Sequence, residues 1–593
     1  MHRTGTTRRT FMAGATAVTG AAGVGALSTA PARAAAARRA APGRSVAVFG
    51  GGVAGLTAAH ELAERGFSVT VYERRALGGK ARSMDVPGSA RGGRRPLPAE
   101  HGFRFIPGIY HNLPDTMRRI PFPGNPDGVF GNLVAPPEMM FARTGREDLR
   151  MPIPWPGHQP ARLTLEDIRR ALTALVETAT GLPLHEAVYF VNRALVFLTS
   201  CDERRDEVWE RTPWWEFTRA ARMSETYQRI LAIGVTRNIV ATRAEEASTR
   251  TVGTLGEAFV FNALGRGADG PPDRILDAPT NEAWIDPWEA HLRSLGVEFR
   301  IGWTLREVRY GEGRVTGALV EDPGGVRSTV TADHYVSALP VEHARRTWGT
   351  ALRAADPRLA RCDLLRTDWM TGIQFYLTER PPMVHGHVNC VDSPWSLTGI
   401  AQAGHWPGRD FPADYGDGTV VDCLSVDISE WDKPGILYGK PARQCTREQV
   451  AREVWAQLKA ALNDTGRTVL KDGALHSWFL DPGVDGLGTP NPTNEDELLI
   501  HPVGSFHLRP PAATAVPNFF LAGDYVAVDI DLATMEGANA AARQAVNALL
   551  DRAGSDAPRC VVKPLFRAPE IEALKRHDLI RYRLGLRNAL DLG

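Results

Sequence analysis

Residues 45–75 read SVAVFGGGVAGLTAAHELAERGFSVTVYERR, and this segment constrains the chain more than any other. A short run of branched apolar residues gives way to a glycine turn, an alanine-rich stretch at helical spacing and a second branched run. That order predicts one βαβ unit. Gly50, Gly52 and Gly55 stand in the spacing G-x-G-x-x-G. The first glycine permits a tight turn, the second lets backbone approach a pyrophosphate, and the third allows helix and strand to pack closely. The pyrophosphate then sits at the helix N-terminus beside Val53 and Ala54, where free N–H groups and the helix dipole favour an anion. Glu73 follows Gly55 by 18 residues (73 − 55), the position of a carboxylate that binds ribose hydroxyls and disfavours a 2′-phosphate. The segment therefore predicts a dinucleotide site.

A chain of 593 residues exceeds one compact core, so two or three domains are expected. Lys and Arg (69) nearly cancel Asp and Glu (68), which removes the basic footprint that non-specific nucleic-acid binding needs. The six cysteines are scattered singly, with no C-x-x-C. Neither a metal site nor a disulfide framework is expected from that spacing.

What distinguishes the kind of dinucleotide is the continuation Glu73-Arg74-Arg75-Ala76-Leu77-Gly78-Gly79-Lys80-Ala81-Arg82-Ser83. It resembles the extension ER-x-x-x-GG-(R/K)-x-R-S of flavin amine oxidases, protoporphyrinogen oxidases and carotene desaturases. The resemblance implies FAD, with the loop through Gly79 and Ala81 passing close to its phosphates and Arg74, Lys80 and Arg82 adding positive charge. Residues 98–112, PAEHGFRFIPGIYHN, resemble the E-x-G-x-H-x-F-x-G-x-Y-x-N stretch of cyanobacterial and plant-type carotene desaturases, which implies a place beside the isoalloxazine ring. Arg104 stands where that pattern has His, and Ile106 where it has Phe. Near the other end, FFLAGDY from Phe519 and LATMEGA from Leu532 are similar to the AGDY and LASMEGA segments of the same desaturases.

In that resemblance Gly523 forms the turn, Asp524 accepts hydrogen bonds from the ribityl chain, and the helix N–H groups from Met535 to Gly537 face the flavin N1–C2 edge. A helix N-terminus there stabilises negative charge on the reduced ring. Residues 279–345 correspond to the returning part of the FAD domain, with Val308 packing on adenine. Only one glycine fingerprint is apparent, so electrons are expected to leave for oxygen, a quinone or another diffusible acceptor and not for a second nucleotide site.

Residues 1–42 read as a leader. Arg8-Arg9 precede Thr10-Phe11-Met12, a weakly apolar stretch and Ala32-Arg33-Ala34, the pattern of a twin-arginine export signal with an A-x-A cleavage site. Export of an already folded protein suits an enzyme that must first acquire flavin. The expected localisation is exported or membrane-peripheral, or cytoplasmic if the leader is not a functional signal.

On the substrate side, residues 182–217 carry apolar positions at helical spacing with Trp209, Trp214, Trp215 and Phe217. They predict either a wall for a long apolar ligand or a helical cap packing its own core. His101, His385, His387 and His405 are candidate proton handlers, although a lone histidine is more often structural. No catalytic residue is assigned, because hydride transfer to flavin N5 is the cofactor's own chemistry. The tail 569–590 interleaves Lys575, Arg576, Arg581, Arg583 and Arg587 with apolar residues, which predicts an amphipathic helix resting on a membrane surface or docking on the protein body.

The expected fold class is α/β: an FAD-binding Rossmann-like domain of the amine-oxidase and glutathione-reductase type, interleaved with an α+β substrate domain. The FAD domain is expected in three parts (43–135, 279–345 and 501–552), around a helical cap (136–278) and a substrate-domain sheet (346–500), with a tail at 553–593. The expected activity is FAD-dependent redox chemistry on a long apolar isoprenoid or polyene, by desaturation or dehydroxylation. The alternatives are polyene tailoring or reductive cyclisation, amine oxidation, and an exported flavin carrier without turnover.

Overall fold

The computed structural model describes residues 44–102, 104–153 and 164–591. The leader with its arginine pair and Phe103 of the second cofactor segment lie outside the described residues.

The opening βαβ unit forms as its periodicity dictates. Strand Ser45–Phe49 pairs in parallel with Ser68–Glu73, and the intervening helix Val53–Glu64 buries ten consecutive residues, Val53 to Leu62. Five parallel strands make the sheet, in the order Phe519–Leu521, His334–Ser337, Ser45–Phe49, Ser68–Glu73, Glu298–Ile301. Strands from three distant segments thus close one sheet, the interleaved α/β arrangement expected. Helix Met535–Arg552 packs on helix Val53–Glu64 beneath it.

A second sheet of seven strands runs Leu475–Leu480, Thr371–Leu377, Asp422–Ile428, Leu397–Ala401, Val388–Cys390, Glu138–Ala142, Leu149–Pro152. Helix Arg447–Leu462 covers its far face in a separate hydrophobic core. The last two strands correct the expected boundary at residue 136, because 138–152 join the substrate sheet and not the helical cap. Their pairing is non-local: Met140 aligns with Val388. Nothing in the local pattern EMMFA announces a partner so far away.

Helices Leu165–Thr180, Leu184–Leu198 and Thr249–Ala263 build the cap, which has its own core around Leu195, Trp209 and Phe217. The tail docks on this cap. Buried Asp578 pairs with Arg204 at 2.9 Å, and buried Lys575 with Glu257 at 3.3 Å. Ile580, Leu584 and Leu586 stay exposed. All six cysteines are buried free thiols, and no helix among the described residues is long and apolar enough to cross a membrane.

Candidate active site

One cavity of about 1190 Å³ lies between the two sheets and under the cap. Of the residues named from sequence, Gly50, Gly52, Val53, Ala54, Glu73, Arg74, Gly79, Lys80, Ala81, Arg82, Gly523, Asp524 and Met535 all line it. Gly55 and Val308 do not. Gly55 serves packing: a Cβ there would stand 1.8 Å from Gly50 O. Val308 faces the core, opposite Ala318 and bridged to Trp348, because a bulge between Leu305 and Glu307 turns the strand. Leu305 lines the cavity in its place.

The nucleotide end fits a dinucleotide. The N-cap of helix Val53–Glu64 is Gly52, with no side-chain cap bond, so N–H groups point into the cavity uncapped. A Cβ at Gly52 would meet no protein atom nearer than 3.7 Å, so it would project into the space left for a ligand. Glu73 is pinned by N–H groups, Oε2 accepting from Gly51 at 2.7 Å and Oε1 from Arg75 at 2.8 Å.

The basic side chains are ion-paired, Lys80 and Arg82 within the protein and Arg74 and Arg75 at its surface. Arg74 pairs with Glu495, Arg75 with Asp496 at 2.6 Å, Lys80 with Glu342 at 2.8 Å, and Arg82 donates to Gly79 O at 2.6 Å and to Asp496 at 3.4 Å. Burial works against the Lys80 ammonium, but Glu342 and Asp524 hold its pKa above the usual value. Burial also opposes the charge on Asp496, yet His101, Arg82 and Arg75 hold its carboxyl far below the ordinary range. With these charges balanced, the helix N-terminus and Arg346, which lines the cavity without an ion-pair partner among the described residues, are uncompensated positive elements at this end.

At the ring end, Thr534 Oγ1 takes the Gly537 N–H at 2.9 Å. The row of N–H groups expected from Met535 to Gly537 is therefore shorter by one. Glu536 does structural service, accepting from the N–H groups of His111, Asn112 and Leu113 at 3.0, 2.8 and 2.8 Å and so capping helix Asn112–Arg118. Arg104 lines the cavity with its guanidinium buried, donating to Gly102 O and standing 3.9 Å from Glu100. Burial pushes Glu100 up to about 7, with Arg104 opposing.

Of the four candidate histidines, His101 and His387 line the cavity and His385 and His405 do not. His101 Nδ1 is 2.6 Å from Asp481 Oδ2, and His387 Nδ1 is 2.6 Å from Asp273 Oδ2. Asp273, 114 residues away in sequence, escaped sequence reading because no local motif marks it. The far end is apolar: Leu172, Phe190, Phe197, Trp214 and Phe259 line it, whereas Trp209 and Phe217 meet edge to face in the cap's core, ring centroids 5.0 Å apart. Both readings of this segment thus hold for different residues.

The sequence profile of flavin-containing amine oxidoreductases matches residues 53–550, most of the chain and every element named above except the first strand and the tail. The chain belongs to the flavin-containing amine oxidoreductase family. As a member it is a flavin oxidoreductase. It is 25% identical over 544 residues to zeta-carotene desaturase of Synechocystis sp., covering 85% of this chain and 97% of that one. It is 27% identical over 518 residues to carotenoid phi-ring synthase of Streptomyces griseus, covering 86% and 88%. Among solved structures, an oxidoreductase from Methanosarcina mazei (TM-score 0.54, 14% identity, 86% and 100% covered) and cyclohexylamine oxidase from Brevibacterium oxydans (TM-score 0.54, 14% identity, 86% and 98% covered) share the fold of this flavin oxidoreductase.

Proposed function

We propose that this flavin oxidoreductase binds FAD and dehydrogenates a long isoprenoid or polyene, in the manner of carotenoid desaturation. The observation that carries this reading is continuity. One cavity runs from Gly50 and Glu73, past Arg104, to Phe197, Trp214 and Leu172. A dinucleotide takes the first stretch, and the remaining aliphatic and aromatic wall suits a long apolar chain. Relatives named for zeta-carotene and for the carotenoid phi-ring support the same substrate class.

Bound FAD supplies the two-electron acceptor. The chain's own residues do the rest. The cap helices close over the apolar stretch and exclude water, the sheet floor orients the substrate, and His387, held by Asp273, receives the proton that must leave carbon alongside the electron pair. Re-oxidation by oxygen or a quinone, export through the arginine-pair leader, and contact of the exposed Ile580, Leu584 and Leu586 with a membrane surface belong to the same proposal. Amine oxidation is less favoured. Tyr525, the ring beside Gly523 and Asp524, is fully buried against Trp348 and does not line the cavity.

The test is the visible spectrum of purified, dialysed protein, followed by anaerobic mixing with polyenes and with amines. Flavin bands bleached by a polyene support the reading. Bleaching by amines alone transfers it to amine oxidation, and a folded protein without flavin bands overturns it.

A further inference from the structure

The floor of the substrate cavity carries a polar row beside which two side-chain atoms stay open to a substrate. Asp427, Thr398 and Asn389 are direct cross-strand partners on three adjacent strands, Asp422–Ile428, Leu397–Ala401 and Val388–Cys390. Direct partners present their side chains to one face of a sheet, and all three line the cavity. Asn238, from the short cap helix Arg237–Val240, closes onto the row, its Nδ2 donating to Asn389 Oδ1 at 2.5 Å.

Asn238 and Thr398 are only 5% and 8% exposed, yet both line the cavity. Among the described residues, Asn238 Oδ1 and Thr398 Oγ1 have no hydrogen-bond partner. Reversing both amides does not remove the surplus, because one amide must donate to the other and a carbonyl is left over either way. Water satisfies such groups while the cavity is wet. A hydrocarbon that displaces the water offers nothing in return, and a buried polar group without a partner opposes binding.

We propose that this row is a recognition subsite for a hydroxyl group on the substrate chain, so that the enzyme selects an oxygenated polyene or isoprenoid over the bare hydrocarbon. The inference rests on the polyene reading above and narrows it. An alcohol has the right chemistry for both open atoms: its O–H donates to Asn238 Oδ1, and its oxygen accepts from the Thr398 hydroxyl. Sites built to hydrogen-bond a substrate hydroxyl discriminate strongly against analogues that lack it, because the site's own groups are then left unpaired.

The experiment uses the full flavin-loaded protein, reduced with dithionite so that no oxidation occurs. It is titrated with lycopene and with 1-hydroxylycopene in the same detergent, and binding is read from the shift of the polyene absorption band. The alcohol is expected to bind at least about tenfold more tightly, the loss associated with one unpaired buried group. Thr398→Val and the double change Asn238→Leu/Asn389→Leu are each expected to reduce the preference and together to bring the two ligands to parity, and Thr398→Ser to keep it. Flavin absorbance recorded before the dithionite is added shows that each variant is folded. Lycopene binding as tightly as the alcohol to the unaltered protein overturns the subsite and leaves the polyene reading standing. Binding of neither ligand overturns both, and a preference unchanged in Thr398→Val and in the Asn238→Leu/Asn389→Leu double variant overturns the assignment to this row.

Discussion

His387 Nδ1 stands 2.6 Å from Asp273 Oδ2, with the carboxylate fully buried and the imidazole facing the substrate cavity. A carboxylate on one ring nitrogen fixes the tautomer and orientation of the imidazole. His387→Gln is therefore expected to slow flavin bleaching by substrate about 10²- to 10⁴-fold, the usual contribution of a positioned acid or base. Asp273→Asn is expected to slow it less. Anaerobic stopped-flow absorbance measures both, and an unchanged rate in His387→Gln removes this residue from the chemistry.

The two inner glycines of the fingerprint are expected to fail differently. In Gly55→Ala the new Cβ falls 1.8 Å from Gly50 O, a backbone atom that cannot move without breaking the turn. Loss of soluble, folded protein is expected. In Gly52→Ala the nearest protein atom to the new Cβ is 3.7 Å away. That variant is expected to fold with a melting temperature close to that of the unaltered apoprotein but to purify with little flavin, seen in the ratio of visible to ultraviolet absorbance.

Glu100 makes stability depend on pH. Its carboxyl is raised from 4.5 to about 7 by burial, against Arg104, Thr280 and His101. The folded state then holds a proton that the unfolded state has lost, so this contribution is full below about 4.5 and disappears as pH rises through about 7. Glu210, also raised to about 7 by burial and by Asp531, acts in the same sense. His501, lowered to about 3 chiefly by burial, acts oppositely, and its contribution is lost as pH falls. Glu100→Gln cannot ionise, so its melting temperature is expected to fall less than that of the unaltered protein between about pH 5 and 8. An identical slope for the two proteins would falsify the assignment.

The tail is part of the folded body. Asp578→Ala leaves the Arg204 guanidinium buried without its carboxylate. Removing one partner of such a pair costs about 3–5 kcal/mol, which a clear shift in the denaturant midpoint would reveal. A midpoint within error of the unaltered protein would place the tail's attachment elsewhere.

The sequence by itself determined the parts of this protein whose chemistry is local. Residues 45–75 encode strand, turn and helix within one short stretch, and the turn needs glycine at Gly50, where φ is +104°, whatever surrounds it. Thirteen of the fifteen named cofactor residues line one cavity because motifs place backbone against ligand through neighbouring residues. Tertiary structure alone decided what depends on partners distant in the chain. It moved 138–152 into the substrate sheet, turned Val308 inward at a bulge, and tied the Arg74, Lys80 and Arg82 charges to Glu495, Glu342 and Asp496. It also brought Asp273 to His387, and Asn238 to Asn389 and Thr398. Each of these pairings spans a loop whose closure no local propensity specifies, and only the packed core holds the two ends together.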